Sequence, residues 1–375
     1  MPTAGPFSRW WKDPIKHYKR RYYWIPAAKK LHRELNGTRN LRYFTLCSRE
    51  MIDVFCLIKE RVISYDTSLH KINHVKFCEE DPAIFPEIKD MIGHEDSGFL
   101  GRLEEIALFR NDAYTEKFTS SRDIHVELDR LGESISEEKK RRLELKLQHL
   151  SFERAFPFDF LNLDFCDVYY PNPPDTMRIN STVDRLVGWQ GRLGFDDDKQ
   201  FALSRFLLAV TCRFDDSVSE DAYDRMATVL RGNQREYPQY RIALARNPVR
   251  NNLRQWRRKD PLDFFLSAWP KELLQIMERH QWRMEIPGLV FYLRVGESGK
   301  RYFIVSLLCN CVRQGSLGNH EGQSLWLLDR NNREKLERPS QANQVGRSLY
   351  AHLRAVAALR NAQAQLRSRL RLPKI

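Results

Sequence analysis

The 375-residue chain has no cysteine framework, no membrane-length apolar run and no self-sufficient catalytic signature. Its seven cysteines (Cys47, Cys56, Cys78, Cys166, Cys212, Cys309 and Cys311) are scattered. An odd count without repeated spacing points away from a disulfide scaffold, and reduced thiols in a cytoplasmic protein are expected. No C-x-x-C pair or matched His/Cys set is present, so no zinc site is expected. Apolar runs stay far below the ~18 residues a bilayer span requires. The most apolar stretch, Phe206–Cys212, is strand-sized. Met1–Trp11 lacks the apolar core of a secretory signal. Walker A, HExxH, nucleophile-elbow and kinase motifs are all missing.

What is present is positive charge, unevenly placed. The chain carries 62 Lys/Arg against 49 Asp/Glu, a net +13. Arg9–Arg42 holds eleven basic residues against Asp13 and Glu34. Arg231–Lys259 holds nine against Glu236, and Arg347–Lys374 holds seven against none. These three segments exceed the chain's total, so the remainder is net acidic. Such asymmetry suits a polyanion partner, nucleic acid above all. The candidate contacts are Lys19, Arg20 and Arg21 in the first segment and Arg254, Arg257 and Arg258 in the second. In the first, Tyr18, Tyr22, Tyr23 and Trp24 are interleaved with the cations, as suits stacking on bases. The same aromatics could instead be buried while the charges stay wet.

From Leu41 the element types alternate. Strands are predicted at Tyr43–Cys47, Asn73–Cys78, Glu105–Phe109, Phe158–Asp164 and within Phe201–Cys212. Helices are predicted at Arg49–Ile63, from Pro82 to Ile92, Ser134–Arg154 (capped by Ser134 with Glu137), Met177–Leu193, Glu220–Arg231 and Pro261–His280. Leu289–Val295 and Tyr302–Cys311 read as two strands joined by Gly296-Glu297-Ser298-Gly299. Strands separated by helices imply an α/β fold with a mostly parallel sheet, closed by a C-terminal antiparallel hairpin. Leu349, Leu353, Val356, Leu359, Leu366 and Leu370 mark a basic amphipathic C-terminal helix, whose stripe suits a second copy or a partner protein.

This order resembles the Rossmann-like fold of class I S-adenosylmethionine-dependent methyltransferases, over about Leu41–Val312. Strand two runs through Val75-Lys76-Phe77-Cys78 into Glu79. Strand three precedes Asn111-Asp112-Ala113, and strand four is Phe158-Asp159-Phe160-Leu161-Asn162-Leu163-Asp164. The resemblance implies S-adenosylmethionine as cofactor, with Glu79 on its ribose, Asp112 on its adenine and Ser48 beside it. It also implies that Asp164, with Asn162, positions an acceptor nitrogen. Two features depart from the pattern. Thr45-Leu46-Cys47-Ser48-Arg49 has no glycine where the family has a glycine turn, so side chains crowd the cofactor's methionine part. Asn172-Pro173-Pro174-Asp175 resembles an amino-methyltransferase motif but lies eight residues beyond Asp164 and lacks its aromatic.

The expected organisation is a basic aromatic arm (1–40), a Rossmann-like domain (41–315, with a helical insertion at about 215–285) and a basic helical extension (316–375). The first functional expectation is a methyltransferase-like protein acting on or binding nucleic acid. The second is a catalytically inactive nucleic-acid-binding or assembly subunit, for which a bacterial defence or mobile-element system is a fitting setting. The third is a metal-dependent nuclease built from Asp159, Asp164 and Asp167 with Glu104 or Glu105.

Overall fold

The computed structural model describes residues 14–35, 39–46, 51–66, 68–69, 71–131, 136–168, 178–196, 199–216, 218–295, 299–313 and 320–335. Helix α1 (Pro14–Lys19) passes through a π-helical turn (Arg20–Trp24) into α2 (Ile25–Glu34). Then come β1 (Tyr43–Leu46), α3 (Ile52–Lys59), and a small antiparallel pair, β2 (Tyr65–Asp66) and β3 (Lys71–Ile72). Strand β4 (Val75–Glu79) leads to α4 (Phe85–Ile92), β5 (Gly98–Leu100), α5 (Leu103–Ala107), α6 (Ser121–Leu131) and α7 (Glu137–Arg154). Next are β6 (Phe160–Val168) and α8 (Arg178–Gln190), then the side pair β7 (Leu193–Asp196) and β8 (Lys199–Ala202), then β9 (Arg205–Phe214). Helices α9 (Glu220–Glu236), α10 (Pro238–Ala245), α11 (Leu253–Lys259) and α12 (Pro261–Arg279) precede β10 (Trp282–Val295) and β11 (Arg301–Arg313). The described chain closes with α13 (His320–Leu328) and β12 (Arg333–Lys335).

Local chemistry sets several boundaries. Ser219, Asn252 and Asp260 each accept a backbone N–H three residues on, capping α9, α11 and α12. Pro261 starts α12, where its missing N–H is not needed. The cap of α7 is Ser136, whose Oγ accepts from the Lys139 N–H; the expected cap, Ser134, lies outside the described residues.

Eight strands form one mostly parallel sheet, ordered β12-β10-β11-β9-β6-β1-β4-β5. The run from β5 to β9 is all parallel; β11 is antiparallel to both β9 and β10, and β12 is parallel to β10. Numbered along the chain, the main-sheet strands read 3-2-1-4-5-7-6-8 from one edge to the other. The order reverses between β1 and β6.

Alternation along the strands divides the core. Phe44, Leu161, Leu163, Leu208 and Val210 face one side, under α5, α7, α8, α9 and α12. Tyr43, Phe160, Leu207 and Ala209 face the other, under α2, α3 and α4. Both faces of β6 and β9 are covered, which explains their near-continuous apolar sequence. Each fully buried Leu or Val here contributes about 1.5–3 kcal/mol. Val210→Asp would put an unpaired carboxylate between β6 and β11 neighbours and is expected to unfold the sheet.

Two strand assignments differ from the sequence expectation. The third parallel strand is Gly98–Leu100, and Leu103–Ala107 is helical. Buried Leu103, Ile106 and Ala107 follow helical spacing, and a short apolar run cannot be assigned by periodicity alone. The β10–β11 pair is also not the sheet's edge, because β12 lies outside it. Arg333 of β12 is anchored inside: it donates to Asp263 at 2.6 Å and Ser267 at 2.7 Å, while Arg250 grips the same carboxylate at 2.8 and 2.9 Å. Residue 333 lay outside any expected strand because three residues carry too little pattern. The C-terminal helix expected at Leu349–Leu370 lies outside the described residues.

Candidate functional site

Open parallel sheets bind ligands outside the carboxyl ends of their strands, where strand order reverses. Here that place lies between β1 and β6. Thr45 of β1 and Asn162 of β6 are register partners beside it. Asn162 Nδ2 donates to Tyr43 Oη at 2.8 Å, Thr45 Oγ1 at 3.1 Å and Asp53 Oδ2 at 3.1 Å. Tyr43 and Thr45 donate to that same Asp53 oxygen at 2.5 and 2.9 Å. This network locks β1, β6 and α3 together. Asn162 is only 3% exposed: its Nδ2 is committed to this network, while its buried Oδ1 has no hydrogen-bond partner among the described residues.

One step further along β6, Asp164 meets the N-terminal helix. Lys16 Nζ donates to its Oδ2 at 2.8 Å, and both side chains are largely buried. Burial pushes the Asp164 carboxyl up, but Lys16, Lys19 and Arg20 outweigh that and hold it below the usual range. Lys19 donates to Thr211 Oγ1 at 3.4 Å and lies over the Trp24 and Tyr292 rings. Thr211 shares a hydrogen bond with Ser306 of β11 at 2.9 Å. Tyr18 and Tyr23 both donate to Glu334 of β12. Burial and this carboxylate push the Tyr18 phenol up to about 12. Gly288 of β10 permits the approach, since a Cβ there would stand 2.6 Å from the Tyr23 ring. The N-terminal helices therefore cross the sheet as a strap from β6 to β12. Lys19 and Arg20, expected on nucleic acid, are 2% and 7% exposed and belong to this strap. A buried cation needs nearby carboxylates and rings, and the sheet supplies them. Arg21 points to solvent beside Tyr22.

Glu79 ends β4. It lies one residue beyond the level of Leu46, and Asp164 reaches the same level from the other side of β1. Two interstrand spacings separate their backbones, about 10 Å. Glu79 is half-buried, and its Oε1 accepts from the Asp81 N–H at 2.9 Å. Burial raises its carboxyl above the ordinary value. Glu79 and Asp164 thus share one rim.

Asp112 does not join them. It closes a turn by accepting from the Tyr114 and Thr115 N–H groups at 3.1 and 2.7 Å, and it pairs with Arg142 of α7. The Thr115 N–H foremost holds its carboxyl down. With β5 ending at Leu100, no strand delivers Asp112 to the rim, which corrects its assignment to adenine. Ser48 lies outside the described residues. Of the acids expected in a nuclease, Asp159 immediately precedes β6 and is gripped by Arg39 at 2.5 and 2.7 Å, Glu104 and Glu105 lie on α5, and the Asp167 side chain is outside the described ones. Among the described residues no three His, Cys, Asp or Glu form a metal-holding group.

Of the described rim residues, Asp164 is paired with Lys16 and Glu79 is placed to receive ribose hydroxyls; residues 47–50, which follow β1, lie outside the described residues.

The second basic segment behaves differently from the first. Arg254 and Arg258 stand one helical turn apart on α11, both exposed, with exposed Arg241, Arg246 and Lys259 nearby in sequence. Among the α11 cations Arg257 alone turns inward, pairing with Glu220 and lying 4.2 Å from the Tyr223 ring centroid, and upstream Arg250 is buried on Asp263. Arg257 is therefore committed to holding α11 against α9. Sequence reading missed Lys16, Asp53 and Thr211. Lys16, Lys19, Arg20 and Tyr23 recur at three- and four-residue steps, a one-face pattern that could have signalled the strap.

Away from the rim, Glu272 of α12 is buried against α8 and accepts from Asn180 Nδ2 at 3.1 Å. Burial pushes its carboxyl up to about 8. No helix among the described residues is long and apolar enough to cross a membrane. No family model matches the chain, and neither does any curated protein or solved structure.

Proposed function

We propose that the chain is a Rossmann-like, methyltransferase-type domain that works as a nucleic-acid-binding or assembly subunit rather than as a methyl-transfer enzyme. The sheet order supports the fold reading: its first five main-sheet strands run 3-2-1-4-5, as in doubly wound nucleotide-binding sheets. The observation that carries the functional reading is the Lys16–Asp164 pair. Asp164, beside the switch point, is bound by the ammonium group of Lys16, beneath a strap that crosses the sheet. A catalytic carboxylate has to reach the substrate, and this one faces helix α1. The polyanion-binding role falls to the exposed arginines of α10 and α11, where charge is free to release counterions from a phosphate backbone.

Two measurements on the full chain test this. Isothermal titration with S-adenosylmethionine is expected to give no saturable heat. Saturable binding, lost in Glu79→Ala, would restore the methyl-transfer reading. Fluorescence anisotropy with labelled DNA and RNA is expected to show binding that weakens steeply with salt. Salt-independent binding, or none, removes the nucleic-acid role.

A further inference from the structure

A second concavity lies outside the rim, in the helical layer on one side of the sheet. It is a groove of about 1070 Å³ between α5, α7 and α8, with His280 at one end. Helix α8 contributes Ser181, Asp184, Arg185, Gly188 and Trp189, whose three- and four-residue steps place them on one face, and Arg192 follows just beyond its end. His280 Nε2 meets Asp184 Oδ1 at 2.8 Å, fixing the end of the groove.

Its donors outnumber their acceptors. Arg185 of α8 and Arg110, in the turn after α5, are exposed, and neither guanidinium has an ion pair or hydrogen bond among the described residues. Trp189 is 2% exposed, lines the groove, and has an indole Nε1 without a partner. The wall also carries Phe109, half-buried, with Arg142 over its ring at 5.3 Å. Glu105 and Asp184 add acceptors to the same lining.

From these features we infer that the groove binds a nucleoside phosphate. Guanidinium groups such as those of Arg110 and Arg185 match phosphate oxygens bidentately. Half-buried Phe109 offers a base an apolar wall. The carboxylates take donors, which sugar hydroxyls and exocyclic amines supply. Inorganic phosphate satisfies the arginines alone and fills a small part of a groove of this size. The site is distinct from the rim between β1 and β6 and from the arginines of α11, so it stands whether or not the chain binds a polynucleotide.

The test is isothermal titration of the full chain with ATP, AMP and inorganic phosphate, repeated on Arg110→Ala/Arg185→Ala. Both arginines are exposed and unpaired, so thermal melting should show an unchanged fold. Saturable nucleotide binding is expected, weakened at least about tenfold in the double variant, with inorganic phosphate about tenfold weaker than AMP. Arg254→Glu/Arg258→Glu is expected to leave nucleotide affinity unchanged. The inference is overturned by absence of nucleotide binding at millimolar concentration, by equal affinity in the arginine variant, or by phosphate binding as tightly as AMP.

Discussion

Two segments of this protein look alike as sequence and end in opposite places. Residues 14–35 and 231–259 are both dense in Lys and Arg with aromatics between them. The first lies on the sheet with Lys16, Lys19 and Arg20 buried; the second presents Arg254 and Arg258 to solvent. The difference is the surface opposite. Asp164, Thr211 and Glu334 form a polar row across the sheet face, and the first segment brings its cations and phenols to that row. Among the cations of α11, Arg257 finds Glu220, while no ion pair among the described residues holds Arg254 or Arg258. Charge density therefore reports the supply of cations, and their destination depends on counter-charges that are distant in sequence.

The rule that a buried charge needs a partner is tested hardest by Glu272, which has no cationic partner among the causes of its shift. Its folded value of about 8 lies above the unfolded value, so its contribution is fully present below about pH 4.5 and is lost as pH rises toward 8. Glu272→Gln is expected to flatten that pH window and to stabilise the protein at pH 8 by an order of magnitude of 4 kcal/mol. Urea denaturation across pH 5–9 reads it; parallel pH profiles for both proteins would show that Glu272 is already solvated.

Next in size is the strap. Lys16→Met leaves Asp164 largely buried without its direct partner and is expected to cost about 3 kcal/mol. Lys19 and Arg20 remain near, which keeps the loss at the low end. Adding Asp164→Leu should restore most of it, and a double-mutant cycle in denaturant measures the coupling. Because the folded Asp164 value is depressed, this contribution is present at neutral pH and is lost as acid protonates the carboxylate. If the single variant costs nothing, the two basic segments are not different in kind.

For the exposed segment the expected effect is on binding. Arg254→Glu/Arg258→Glu should weaken nucleic-acid affinity by about tenfold at low salt and reduce the salt slope, with stability unchanged to about 0.5 kcal/mol. Anisotropy and thermal melting read the two quantities separately. Arg21→Glu is the smallest change: the residue is solvent-facing beside exposed Tyr22, and stability should move by no more than about 0.5 kcal/mol. A larger loss would mean that the strap uses its outer face as well.

Much of the fold is legible residue by residue. Val75–Cys78, Phe158–Asp164 and Phe206–Cys212 are apolar enough, and flanked clearly enough, to read as strands, and the structure has strands there. Pro261 with Asp260 marks the start of α12. The third strand was misplaced because Leu103, Ile106 and Ala107 fit either period over so few residues, while Gly98–Leu100 carries one buried apolar side chain. Strand β12 fails for the same reason. Of the candidate site, Glu79 and Asp164 were picked out because each follows an apolar stretch, and the sheet register brings them to one level, with Asp164 inside β6 rather than at its end. Asp112 was misassigned with the strand before it. Asn162 was placed on β6 from the sequence, but its hydrogen-bond partners Tyr43, Thr45 and Asp53 could not be read there, since they lie more than a hundred residues away.

By itself, the sequence determined the periodicities, the caps and the excess of positive charge, all of which depend on neighbours within a few residues. Only the tertiary structure decided that Lys16 neutralises Asp164, that Asp112 stays away from the rim, and that Arg110, Arg185 and Trp189 surround one groove. Those relations join residues brought together by the order of strands and the packing of helices. Coulomb and hydrogen-bond energies act over a few ångströms of space, however far apart along the chain the groups may be.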